Sequence, residues 1–268
     1  MLIRVVDLET TGFEPPEAGV CEVGWCDLAA SARDEAGIPT GWRVEGGLWS
    51  FVNPGHPITP ATSAVHHIVD EDVADARSWD RVLPGVLTTQ VPIVAMAAHS
   101  AKFERQWFTD EVTGGLPWIC TYKCALRLWP DAPLHSNMGL RYWRRPEGLD
   151  RAQAALAHRA YPDAYVTAHH LRDMLAMAPL ADLVKWSSEP ALQVRCHIGK
   201  QRGMLWTDVD FSFLQWVADR DFDEDVLFTV RHEMQRRRAV WAAEAKAARE
   251  REGIARPDAS PEDDGMPF

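Results

Sequence analysis

The chain is expected to be an α/β protein, a mixed sheet flanked by helices, and three observations predict this. The first fifty residues hold three apolar, β-branched runs, the spacing of apolar residues then lengthens to a helical period, and the next segments alternate between strand and helix. A small α+β module and an acidic tail are expected to follow.

The first strands are expected at Leu2 to Val6, Val20 to Leu28 and Leu48 to Val52, separated by segments rich in Gly, Pro and Glu. "TPATSAVHHI" then offers Thr59 as a helix cap and Pro60 at the first helical position, so a short helix leads to His66 and His67. "VPIVAMAAHS" reads as a fourth strand, "AKFERQWFTDEV" as a helix, "PWIC" as a fifth strand and "TYKCALRLW" as a helix. Residues 150 to 177 supply two further helical stretches, broken near "HRAYPDAY".

At about Pro179 the composition changes, which places a domain over residues 1–178 and a strand, turn and helix module over 179–240. Arg236, Arg237 and Arg238 lead into "AVWAAEAKAARERE", a helical extension that Gly253 should end, with the three arginines read as a solvated face. The rest of 241–268 is short of apolar residues, rich in Pro and acid, and expected to be disordered. No internal repeat is present.

With 268 residues and 46% hydrophobic content the chain can bury a sizeable core. A formal net charge of -11 excludes coating of nucleic acid by bulk electrostatics, but leaves room for a local basic groove and suits an acidic site loaded with metal. The start "MLIRVVDLE" has no leader pattern and no apolar run approaches membrane-spanning length, so a cytoplasmic protein with no membrane association is expected. The five cysteines are odd in number and irregular in spacing. Cys21 and Cys26, and Cys120 and Cys124, sit in apolar sequence and read as buried thiols rather than zinc ligands. The tryptophans, Trp25 and Trp216 among them, read as core, as does Phe103.

"VVDLETTG" sets Asp7 and Glu9 two apart at the end of a strand, so both carboxylates project from one face. Like charges that close repel unless cations neutralise them, and hard divalent ions prefer such oxygen ligands. A solvated pair of turn acids is the plain alternative. "AAHSAKFE" puts His99 at the end of another buried strand and Glu104 on the first turn after it. "AHRAYPDA" puts His158 five residues before Asp163, about 140° away if both were helical, but Pro162 favours a helix start nearby and leaves His158 in the preceding loop.

"DLETTG", "AHSAKFE" and "HRAYPDA", in that order along residues 1 to 178, resemble the three motifs of the DEDDh 3'-5' exonucleases. "AVHHIVDEDVAD", "PWICTYKCALRLWP", "SNMGL" and the later "GKQRG" are similar to a bacterial exodeoxyribonuclease branch of that family. The resemblance implies a ribonuclease H-like sheet, with Asp7, Glu9, Glu104 and Asp163 binding two Mg²⁺ ions, for which Mn²⁺ can substitute, and His158 as general base. Such a site hydrolyses phosphodiesters with the attacking and leaving oxygens clamped between metals, and histidine, titrating at about 6.5 in free solution, can take the proton of water. One acid departs from the family pattern: Glu104 stands where Asp is usual, and Ser100 where Asn is usual. The added methylene moves a carboxylate by roughly 1.5 Å, more than the roughly 0.5 Å that catalytic geometry tolerates without adjustment.

The resemblance also implies a floor and wall around the terminal nucleotide from Thr10, Thr11, Val65 and His66, and His99 is assigned to the same substrate-binding set. In "GKQRG", Lys200 and Arg202 sit on glycine-flanked backbone that could approach phosphates, or form an ordinary hairpin tip. The end "PEDDGMPF" resembles the acidic tip of single-stranded-DNA-binding proteins, which implies partners that would take Pro267 and Phe268 in a pocket and meet Asp263 and Asp264 with a basic rim. The function expected is hydrolysis of DNA from 3' ends, single-stranded or frayed, in repair or recombination. The alternatives are an RNA 3' exonuclease and a DNA-binding recruitment protein on a nuclease scaffold.

Overall fold

The computed structural model describes residues 1–254, with side chains placed through Arg251. Five strands, β1 (Leu2–Thr10), β2 (Val20–Arg33), β3 (Pro39–Phe51), β4 (Ile93–Ala98) and β5 (Trp118–Cys120), form one sheet in the order β3-β2-β1-β4-β5. β1 runs antiparallel to β2 and parallel to β4, so the sheet is mixed. β1 is buried along nearly its whole length, as suits a central strand covered on both faces.

Helices α1 (Pro60–His66), α2 (Asp70–Val73) and α3 (Trp79–Leu87) connect β3 to β4, and α4 (Asp110–Thr113) precedes β5. After β5 come α5 (Thr121–Leu128), α6 (Asn137–Arg144), α7 (Ala160–Leu175) and α8 (Leu180–Ser188). The alternation of β1 divides the core. Ile3 and Val5 face a cluster that includes Ala164, Ala168 and Leu171 of α7. Val6 and Leu8 face another that includes Val82 and Val86 of α3 and Phe108. Asp7 and Glu9 continue the odd-numbered series, so they emerge on the α7 side.

Thr59 caps α1 as expected, its hydroxyl accepting from Thr62 N–H, with Pro60 opening the helix. The helix expected over residues 101–112 does not form. A 3₁₀ turn, Glu104–Gln106, and the short α4 take its place, because Thr109 is extended between them while Trp107 and Phe108 turn into the core. Residues 150–177 hold one helix, α7, rather than two; Asp150 instead accepts the Ala152 N–H in a side-chain-capped turn. The second helix lies earlier, at α6, where Ser136 accepts the Gly139 N–H.

The five cysteines are free and buried. Cys21 and Cys26 belong to different hydrophobic clusters, as do Cys120 and Cys124. Trp25 and Phe103 pack against the α3-side core.

The chain divides into compact units at Ala191/Leu192, not at 178. α8 belongs to the first unit because Ser187 Oγ accepts the Cys120 N–H at 2.7 Å and Lys123 Nζ donates to the Ser187 carbonyl at 3.1 Å. The second unit has a 3₁₀ turn at Gly199–Gln201, an Arg195–Leu205 bridge, α9 (Phe211–Ala218) and α10 (Glu224–Ile254) around Cys196, Trp206, Leu214 and Val226. α10 passes the expected break at 240 without interruption. Trp216, expected in the core, is 41% exposed on α9. Arg236 and Arg237 are not simply solvated: both bind buried Glu233, and Arg237 also donates to the Trp206 and Thr207 carbonyls. Among the described residues no helix is long and apolar enough to cross a membrane. Asp263, Asp264, Pro267 and Phe268 lie outside the described residues.

Candidate active site

Asp7 and Glu9 leave the C-terminal end of β1, and Asp163 comes to them from the first turn of α7. One carboxylate oxygen from each of the three lies within 4.8 Å of the others. Glu104, on the 3₁₀ turn after β4, is 3% exposed, and its Oε2 has no hydrogen-bond partner. His158 stands just before α7, exposed, with a left-handed backbone (φ 58°) that a residue bearing a Cβ adopts only under constraint.

The β1/β2 register explains how α7 reaches the acids. Asp7 lies opposite Gly24 and Glu9 opposite Glu22, and directly opposed residues of an antiparallel pair share a face. A Cβ at Gly24 would meet Tyr161 N at 2.2 Å, so only glycine lets the start of α7 lie on the strand beside Asp7. Glu22 takes the Arg159 guanidinium with both carboxylate oxygens, at 3.0 and 2.6 Å, and the Ala160 N–H at 2.9 Å. Asp163 is then fixed by three hydrogen bonds from two residues. His158 N–H binds its Oδ2 at 2.8 Å, and Asn137 Nδ2 binds its Oδ1 at 3.2 Å and its carbonyl at 3.0 Å.

Burial and mutual repulsion disfavour ionisation of these acids. Burial raises Asp7 well above the usual carboxylate range, with Asp163, Glu9, Glu104 and Glu22 adding to it. Burial, then the charges of Asp163 and Glu22, push Glu9 up to about 8, and burial first does the same for Glu104. Asp163 is raised by burial against the opposing pull of the His158 N–H. The converging oxygens of Asp7, Glu9 and Asp163 fit divalent cations, and Glu104, near enough for its charge to act on Asp7, adds an unpartnered Oε2 of the right kind.

The other expected site residues are distributed unevenly. Thr10 and Thr11 are buried beside the acids, with Thr10 Oγ1 donating to the Gly12 carbonyl and Thr11 Oγ1 accepting from Gly19 N–H. Val65 is exposed. His66 is 2% exposed, its Nδ1 accepts the Ile68 N–H, and its Nε2 faces Cys21 Sγ. His99 is half-buried, with Nδ1 paired with Thr121 Oγ1 and Nε2 with the His135 carbonyl. Lys200 and Arg202 belong to the second unit. Glu22, Arg159, Asn137 and Gly24 escaped the sequence reading. "SNMGL" carries Asn137 only as part of a resemblance, and nothing local marks Glu22 as facing Glu9. Phe13, which follows the Thr10–Gly12 turn, is 85% exposed.

These features define a ribonuclease H-like nuclease site, and the chain belongs to the RNase_T exonuclease family, whose model matches residues 5–171. It is 28% identical over 244 residues to Exodeoxyribonuclease 10 of Escherichia coli K12, with 87% of this chain and 99% of that protein covered. The same figures hold for Exodeoxyribonuclease 10 of E. coli O6:H1. Among solved structures, Exonuclease X in complex with 5' overhanging duplex DNA is 27% identical with a TM-score of 0.51, covering 69% of this chain and 99% of that one.

Proposed function

We propose that this exonuclease is a Mg²⁺-dependent 3'→5' exodeoxyribonuclease that releases nucleoside monophosphates, acting in the cytoplasm in DNA repair or recombination. The observation that carries the reading is the convergence of Asp7, Glu9 and Asp163 within 4.8 Å beside Glu104, with His158 at the start of the same helix. The DNA bound in the Exonuclease X structure supports deoxyribonucleic acid as the substrate.

Asp7, Glu9, Glu104 and Asp163 would hold the cations, which Mn²⁺ can replace and which supply charge neutralisation at the phosphodiester and acidification of water. His158 accepts the proton of the attacking water; its exposure leaves the imidazole open to solvent, to which it returns the proton. The Thr10–Thr11 turn and Val65 border the terminal nucleotide, and the exposed ring of Phe13 offers a face on which a base stacks. On the second unit by itself, the exposed Lys200 and Arg202 would contact phosphate.

A 5'-labelled DNA oligonucleotide, alone and in a duplex with a recessed or frayed 3' end, tests this against an RNA of the same sequence. Stepwise shortening that a 3'-terminal phosphorothioate linkage halts, faster on DNA, is the expected result. Internal cleavage or shortening from the 5' end contradicts the polarity, and faster digestion of RNA contradicts the substrate.

A further inference from the structure

Resting on that reading, we infer that Glu22 and Arg159 are positioning residues whose ion pair fixes the backbone from which His158 and Asp163 act. Glu22 is 1% exposed and lies opposite Glu9 in the strand register, so it rises from the same sheet face as the metal-binding acids. Its carboxylate is not aimed at them as another ligand. Both oxygens are taken by the Arg159 fork, and one of them also accepts the Ala160 N–H.

These three bonds hold the two residues that separate His158 from the body of α7. Arg159 flanks His158, and Ala160 is the first residue of the helix whose opening turn carries Asp163. The guanidinium also lies 5.5 Å from the Phe51 ring and 5.8 Å from the Trp49 ring, which limits its swing away from Glu22. A bidentate guanidinium–carboxylate pair sets direction as well as distance, and lysine cannot reproduce it.

The left-handed conformation of His158 makes this constraint consequential. A non-glycine residue at φ 58° persists only where its surroundings over-determine it. On one side the constraint is the His158 N–H bond to Asp163, and on the other it is the Arg159 anchor. Release of Arg159 frees the segment to relax toward ordinary backbone angles and carries the imidazole away from the acids. A displacement near 1 Å is enough to cost about a hundredfold in rate.

The test compares Arg159→Ala, Arg159→Lys and Glu22→Gln with the wild-type full chain. Steady-state kinetics on a DNA oligonucleotide should show kcat reduced by about 10–100-fold with KM changed by less than about threefold, the scale of lost outer-shell support. Glu22→Gln keeps the shape and the acceptor for Ala160 N–H but loses the charge, so it reads the ion pair without a cavity. Millimolar guanidinium ion should restore part of kcat in Arg159→Ala and none in Glu22→Gln, and Arg159→Lys should remain impaired. Hydrogen exchange of the amides at 157–163 should accelerate in the variants while the β1 and β4 amides keep their protection, a readout independent of metal and activity. The inference is overturned if Glu22→Gln and Arg159→Lys keep wild-type kcat with unchanged exchange, or if all protection falls together without guanidinium rescue. Inactivity of the wild type would instead contradict the proposed function, while the exchange measurement still decides the anchor.

Discussion

The main-chain N–H of His158 donates to Oδ2 of Asp163 at 2.8 Å, so the proposed base and one of the proposed ligands are held by each other rather than by separate scaffolds. His158→Ala keeps that N–H and removes only the imidazole. Such a variant should lose about 10²–10⁴ in single-turnover cleavage, the usual value of a positioned base, with its melting temperature within a few degrees of wild type. A variant that retains most of its rate would remove His158 from the reaction.

Asn137 spends its side-chain N–H groups on the Asp163 carboxylate and carbonyl. Asn137→Ala leaves Asp163 free to rotate, and Mn²⁺ affinity measured by calorimetry should fall by about 10–100-fold, as is typical when the support of a ligand is removed. Unchanged affinity would mean that the His158 N–H alone orients the carboxylate.

The acids make stability depend on pH with a definite sign. Burial and like charges raise Glu9 and Glu104 from 4.5 to about 8 in the folded chain. The native state then binds more protons than the unfolded state between those values, so metal-free stability is highest near the lower value and falls as pH rises toward 8. Melting curves in EDTA should show that decline, and Mg²⁺ or Mn²⁺ should reverse most of it at the alkaline end while releasing protons to the buffer. A flat profile in EDTA would contradict the crowding of these acids.

Gly24 is where the fold and the site meet. The Cβ of Gly24→Ala would sit 2.2 Å from Tyr161 N, which forces α7 off the sheet. The substitution should cost about 1–3 kcal/mol of stability by denaturant titration, and more in rate than in folding, because the same movement displaces Asp163. A fully stable and active variant would show that α7 has slack here.

The acids of the candidate site can be picked out from short segments because they lie at element ends. Asp7 and Glu9 announce themselves by spacing two on a strand, and Pro162 by opening a helix after His158. What escaped depends on register between distant segments. Glu22 becomes meaningful only when β2 sets it opposite Glu9, and Asn137 only when α6 lies beside α7. His66 and His99 sit next to site motifs in sequence, and only the folded structure gives the partners of their ring nitrogens. The boundary expected at 178 failed because Ser187 and Lys123, far apart in sequence, tie α8 back to β5 and α5.

The most direct test of the central claim, that Asp7, Glu9, Glu104 and Asp163 form one cation-dependent hydrolytic centre, is mononucleotide release from a DNA 3' end. It should be measured for wild type and Asp7→Asn with Mg²⁺ and with EDTA. The wild type should release mononucleotide with Mg²⁺ alone, and Asp7→Asn should lose at least about a thousandfold despite an intact fold, on the scale of removing a charge-stabilising group. Release in EDTA, or undiminished release by Asp7→Asn, would contradict it.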